Sequence, residues 1–231
     1  MASSPPSKIA KAPRQVLETI YAFPPNRDTL GGTAYLLLEK HSAGAPANLL
    51  IDCPAWDADL LNFIETQGGV RWLLLTHRNG SSRVKDFQTR FGCTVVVQEQ
   101  EAYLLPQVPT TPFQQTFRFS PTTHALWTPG YSPGSACLYT QAHGGVLFSG
   151  RHLLPNREGH PAPLRFSKTF HWPRQLRSVQ RLQDEFTPET LRYLCPGANT
   201  GFLRGQRVIE DAYAQLATID LEACRQTPAM L

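Results

Sequence analysis

The sequence predicts a layered α/β fold. Three observations carry this expectation. Trp72–Thr76 is an unbroken apolar run, as expected of a strand buried on both faces. A helical segment and a second such run, Thr94–Val97, follow it directly. The middle of the chain, from about Phe113 to Ser149, then breaks into short β-type runs punctuated by Pro and Gly.

In chain order, residues 1–13 are rich in Ser, Pro and Lys, lack an apolar core, and read as a disordered tail rather than a secretory signal. Residues 14–231 read as one domain. Val16–Phe23 is predicted as a strand ended by Pro24-Pro25. Thr33–Glu39 is a strand entered through Gly31-Gly32, and Asn48–Asp52 is another, with a hairpin connection through Ser42, Gly44 and Pro46. Asp57–Thr66 has helical spacing, with Leu60, Leu61 and Ile64 on one face and Gly68-Gly69 as its stop. Ser82–Phe91 reads as a helix. Thr116–Phe119, Ala125–Thr128, Ala136–Thr140 and Val146–Ser149 read as strands. A polar loop, His152 to Trp172, separates them from two closing helices, Arg174–Phe186 and about Gly205–Thr218, with a short strand at Tyr193–Cys195 between.

Composition narrows the function classes. The formal net charge of +4 permits an anionic ligand, but no run of Lys/Arg with interleaved aromatics speaks for nucleic acid. The 5 cysteines are widely spaced and form no C-x-x-C, which points to reduced buried thiols and a cytoplasmic or equivalent reducing compartment. No apolar run approaches the roughly 18–20 residues of a membrane span. There is no P-loop, no dinucleotide fingerprint and no nucleophile elbow around Ser135.

Several motifs, taken in order, resemble the metallo-β-lactamase superfamily, with the glyoxalase II-type hydrolases as the branch most similar. The pair Gly-Thr-Ala-Tyr-Leu-Leu-Leu and Asn-Leu-Leu-Ile-Asp-Cys-Pro resembles the family's opening hairpin. Trp-Leu-Leu-Leu-Thr76-His77 resembles the strand leading into T-H-x-H-x-D-H. Thr128–Ser135 resembles T-P-G-H-T-P-G-S, Leu147–Arg151 resembles L-F-x-G-D, and Leu194–Asn199 resembles the closing L-P-G-H-G. The resemblance spans about Val16 to Ile209 and implies a four-layer αββα sandwich.

The family's hydrolytic chemistry rests on zinc or iron held by His and carboxylate side chains. Position by position, the resemblance places His77 at the first His, Asn79 at the second, Ser81 at the Asp and Ser82 at the neighbouring His. Tyr131 stands at the T-P-G-H His, Arg151 at the bridging Asp and Ala198 at the last His. A guanidinium about 4 Å from a dication repels it by several kcal/mol even at an effective dielectric of about 20. The expectation is therefore a pocket with no metal cofactor and no catalytic residue, serving a binding or scaffold role. Arg151 sits in the cation's place among His77, Asn79, Ser81 and Tyr131, or holds a small anion. The alternative is an atypical hydrolase of the same superfamily acting on a thioester or other ester-like substrate.

Blander readings stand beside these. His77 is either a packing residue or a ligand or base, and Tyr131 either fills the former His volume or acts. Gly130, Gly134, Gly150 and Gly197 are turn formers. His152, His160 and His171 are solvated loop residues or a new metal set. The basic loop with Arg157, Arg165 and Lys168 is either solvated or a docking surface for a protein partner. Trp172 is its exposed anchor or a cap on the core.

Overall fold

The computed structural model describes residues 11–27, 30–41, 44–206 and 208–230. The predicted tail lies largely outside these residues, as do Ser42 in the first connection and Arg207 in the last predicted helix. Lys11, Ala12 and Pro13 are described and carry no regular structure.

Two sheets face each other. The first has seven strands in sequence order: β1 (Arg14–Leu17), β2 (Ile20–Ala22), β3 (Tyr35–Leu37), β4 (Leu49–Ile51), β5 (Trp72–Leu74), β6 (Thr94–Gln98) and β7 (Thr110–Phe113). β1 to β4 pair antiparallel, and β4 to β7 pair parallel. The parallel steps are crossed by α1 (Ala58–Thr66) and α2 (Val84–Phe91). The second sheet contains β8 (Thr116–Arg118), β9 (Thr123–Trp127), β10 (Ala136–Thr140), β11 (Val146–Gly150) and β14 (Tyr193–Pro196), in the order β14-β11-β10-β9-β8. A small hairpin of β12 (Leu154–Pro155) and β13 (Pro161–Ala162) interrupts the long loop. α3 (Trp172–Glu185), α4 (Ala212–Ala217) and α5 (Leu221–Gln226) complete the chain.

Three apolar interfaces bind these parts into four layers. Leu60, Ile64 and Phe87 of α1 and α2 pack on Leu36, Leu50, Leu73 and Val95. Tyr35, Ile51, Leu74 and Val96 meet Ala136, Leu138, Phe148 and Cys195 between the sheets. Val179, Leu182 and Leu216 cover Cys137, Leu147 and Leu194 from outside. Leu73 and Leu74 thus enter different cores, which is why Trp-Leu-Leu-Leu reads as a continuous run with no polar alternation. Among the described residues, no helix is long and apolar enough to cross a membrane.

Four expectations change. Val16–Phe23 is not one strand: the chain turns at Glu18-Thr19 to make the β1–β2 pair. The helix expected at Gly205–Thr218 is only Ala212–Ala217, because Ile209 bridges to Leu194 and leaves the helical path; α5 then starts anew from an Asp220 cap. β7 escaped notice because Thr110–Phe113 is polar and contains Pro112, which a sheet tolerates at its edge. α3 begins two residues before the predicted start, capped by His171, whose Nδ1 accepts the Arg174 N–H at 3.2 Å.

The motif glycines serve different needs: Gly130 and Gly150 have positive φ, Gly134 lies without it inside the Ser132–Ser135 turn, and Gly197 does not have it. Gly197 is required by close approach: a Cβ there would lie 2.6 Å from the Gly150 carbonyl oxygen. Its N–H donates to that same oxygen at 2.8 Å, and its carbonyl accepts the Thr33 N–H at 2.8 Å. This stitches the last site loop to β11 and to the first hairpin. We expect Gly197→Ala to destabilise the fold by at least about 2 kcal/mol, as overpacking against backbone does. Urea midpoints of the two proteins measure it, and an unchanged midpoint would contradict the close approach.

Candidate functional site

The site forms where β4, β5, β11 and β14 end on the same side. Its centre is a residue the motif comparison did not single out. Asp52 closes β4 with φ of 57°, a left-handed conformation that Asp tolerates better than most side chains. Its Oδ1 accepts the Thr76 N–H at 2.8 Å and its Oδ2 accepts the Thr76 hydroxyl at 2.5 Å. The carboxylate therefore ties the ends of β4 and β5 together. Gly80 passes so close that a Cβ would stand 2.8 Å from Asp52 Oδ1.

His77 follows Thr76 into a 3₁₀ turn, Arg78–Gly80, which it caps: Nδ1 accepts the Asn79 N–H at 3.1 Å. That bond places the ring proton on Nε2, which lies 3.8 Å from Asp52 Oδ2. His77 is only 2% exposed. Burial, then the charges of Arg151 and Arg78, pull its pKa down to about 3. Asp52 is pushed up to about 6 by burial, against the bonds from Thr76 and the charge of Arg151.

Tyr131 is buried and donates its hydroxyl to Asn79 Oδ1 at 3.0 Å. Its ring stands edge-on to His77 at 5.6 Å between centroids. The Arg151 guanidinium lies 5.9 Å from the same ring, and its Nη2 donates to the Leu30 carbonyl at 2.7 Å. Ser81 turns its hydroxyl to the Arg78 carbonyl at 3.0 Å instead of to Arg151. Ser82 is exposed, and Ala198 is buried beside Gly197. The structure thus gathers His77, Asn79, Tyr131 and Arg151 and leaves Ser81 and Ser82 to the surface turn.

Glu101, another carboxylate that the motifs did not reveal, is buried against the Tyr131 loop. Its Oε1 accepts the Gly134 N–H at 3.0 Å, and burial raises its pKa. The signal for Asp52 was present in Leu-Leu-Ile-Asp, a buried strand ending in a charge. Nothing in Glu-Gln-Glu-Ala marks Glu101 as the buried member of its pair.

The basic loop is less uniform than expected. Arg157 and Lys168 are exposed, and their carbonyls accept from Arg204 at 3.4 Å and Arg78 at 3.1 Å. Arg165 donates to the Thr227 carbonyl at 2.8 Å. Trp172 is no exposed anchor: it is 7% exposed, with its indole N–H donating to the Cys224 carbonyl at 3.0 Å. As the first helical residue before Pro173, it turns inward. His152 is not a solvated loop histidine either. It is buried, both ring nitrogens lack a hydrogen-bond partner among the described residues, and burial lowers its pKa to about 3. His160 pairs with Gln215 at 2.9 Å, so the three loop histidines do not converge as a metal set. All 5 cysteines are free thiols, four of them buried.

Two facing sheets flanked by helices, with a site at the strand ends, define the metallo-β-lactamase αββα sandwich, and solved structures bear this out. The particular likenesses are three. A protein from Burkholderia ambifaria described as a beta-lactamase domain protein superposes with a TM-score of 0.62 at 16% identity, over 94% of this chain and 78% of that one. TTHA1623, solved in a di-iron-bound form, gives 0.59 at 21% identity, over 80% of this chain and 92% of that one. An N-acyl homoserine lactone hydrolase, with its product bound at the catalytic metal center, gives 0.53 at 17% identity over 71% and 80%. No family model and no curated protein matches the sequence.

These likenesses correct one expectation. Absence of a metal cofactor, inferred from the lost ligands, is contradicted by neighbours of this fold that carry iron or a catalytic metal center. The donor set of this chain is a separate matter and does not fit a two-metal group. Among the described residues, no three His, Cys, Asp or Glu side chains converge on one point. His77 has its Nδ1 committed to a backbone N–H, and Arg151 adds a fixed positive charge.

The opposed shifts of Asp52 and His77 have a measurable consequence. Asp52 binds a proton more readily folded than unfolded between pH about 4 and 6, so it lowers stability as pH rises through that window. His77, neutral when folded, does the reverse between pH about 6.5 and 3. Asp52→Asn removes the first contribution and leaves the second. We expect its stability, relative to the parent, to fall on acidification from pH 6 to 4 by up to about 1.4 kcal/mol per unit. Urea titrations at several pH values test this; parallel profiles for the two proteins would count against a raised Asp52.

Proposed function

We propose that this chain is a non-catalytic binding or scaffold protein on the metallo-β-lactamase fold, with a small anion beside Arg151 as its ligand class. The observation that carries this reading is the engagement of Tyr131. Its hydroxyl is spent on Asn79, its ring edge lies against His77, and its other neighbour is the Arg151 guanidinium. Positions that the motif resemblance assigns to metal ligands are here in contact with one another. His77, buried and held neutral with a low pKa, is a weak general base at neutral pH. Arg151 and Arg78 both bear on it electrostatically, and positive charge of this kind favours an anion over a neutral ester.

A second reading has its own support. By the motif resemblance His77 is the one ligand position that this chain keeps, and a fold neighbour is described as a lactone hydrolase. An atypical hydrolase of thioesters or related esters is therefore the competing proposal.

One set of measurements separates the two. The purified protein is offered thioester and lactone substrates with zinc, iron or manganese supplied. The non-catalytic reading expects no turnover that His77→Ala removes; His77-dependent turnover establishes the hydrolase. The anion is tested by phosphate titration observed at the Tyr131 ring resonances, with shifts expected in the parent and lost in Arg151→Gln. Tyr131→Phe strands the Asn79 oxygen and is expected to cost about 1 kcal/mol of stability in urea unfolding.

A further inference from the structure

α3 buries Trp172, Leu176, Val179 and Leu182 on its inner side. Arg174, Arg177 and Arg181 recur at i, i+3 and i+7, so they share one helical flank. That flank faces the end of β9. The three arginines, with Trp127, Pro129 and Ser178, line a cavity of about 340 Å³.

Two of the guanidinium groups are fixed in place. Arg174 stacks 5.4 Å from the Trp127 ring centroid, and that indole is held by its own N–H donating to the Pro133 carbonyl at 2.9 Å. Arg181 donates from Nη2 to the Trp127 carbonyl, while its Nε is buried with no hydrogen-bond partner among the described residues. Arg177 is exposed. The arginine–carboxylate pairs of the described residues lie elsewhere, at Arg83–Asp86, Arg90–Glu65 and Arg225–Glu222. Asp184, a turn beyond Gln180, accepts that residue's amide rather than an arginine. Three permanent charges line one concavity, with no carboxylate in its lining, and ask for more than a single negative charge.

We propose that this cleft between α3 and the end of β9 binds a small phosphate-bearing ligand, free or as a monoester, through Arg174, Arg177 and Arg181. Forked guanidinium donors match the phosphate oxygens, and a dianion balances the site better than a carboxylate does. A concavity of a few hundred Å³ suits a small molecule rather than an extended polymer. The cleft is separate from the Arg151 site and does not depend on the function proposed for it.

The test titrates inorganic phosphate, glycerol phosphate and acetate into the full chain at constant ionic strength, observing the Trp127 indole N–H resonance. Saturable shifts with a phosphate species are expected. Arg177→Gln, whose side chain makes no internal bond, is expected to weaken them roughly tenfold or more, as loss of a charge-assisted hydrogen bond does. Arg151→Gln leaves them unchanged. Tighter binding of the ester assigns the source to an esterified phosphate, and tighter binding of phosphate to the free anion. The proposal is overturned if no phosphate species saturates the resonance, if acetate binds as tightly, or if Arg177→Gln binds as the parent does.

Discussion

A single buried carboxylate organises the strand ends of this protein. Asp52 takes both the amide and the hydroxyl of Thr76, and so fixes how far β5 runs beside β4 before the chain turns. The neighbouring loops are built to that carboxylate and its partner. Gly80 lacks a side chain where one would strike Asp52, and Gly150 lacks one where it would lie 2.5 Å from the Thr76 hydroxyl. Gly197 in turn closes on Gly150. The chain of contacts Asp52–Thr76–Gly150–Gly197 therefore links β4, β5, β11 and β14, which belong to different sheets. A carboxyl removed from water is costly unless its oxygens are satisfied, and here the two bonds from Thr76 offset part of that cost.

Above this base stand Arg151, Tyr131 and Asn79. These groups satisfy one another: the ring face attracts the cation, the hydroxyl donates to an amide oxygen, and the Leu30 carbonyl accepts from the guanidinium. His77 then meets a hydrogen bond to one ring nitrogen, positive charge nearby and almost no water, and all three hold it neutral.

Much of this architecture was legible in the sequence because burial on two faces leaves a plain trace. Trp72–Leu74 and Thr94–Gln98 feed two cores at once, so neither can afford polar alternation, and α1 announced itself through Asp57, Leu60, Leu61 and Ile64. β7 and the β1–β2 turn were not legible, since an edge strand with Pro112 and a turn with no Gly or Pro leave no local signal. In the site, residue types at motif positions were readable, but their contacts were not. Ser81 and Tyr131 both carry hydroxyls, yet one serves its own turn and the other reaches across to a loop 52 positions away. His152 was misplaced, and Trp172 could be read as anchor or as core cap, for the same reason: a polar sequence context says little about which way a single ring faces. Glu101 needed the fold to bring it to Gly134.

Structural likeness without sequence likeness carries the architecture and stops there. At 16–21% identity the sandwich superposes over most of the chain because its three apolar interfaces tolerate any side chains of suitable size and pattern. A metal centre has no such tolerance, since each ligand must present one atom type at one place. Iron and a catalytic metal center belong to neighbours of this fold, and their side chains, not the shared architecture, hold them. Meanwhile the flank of α3 that faces the end of β9 carries three arginines around Trp127, apart from the strand-end site. Three like charges held on one flank raise the free energy of the fold by mutual repulsion, and an anion seated between them removes that penalty.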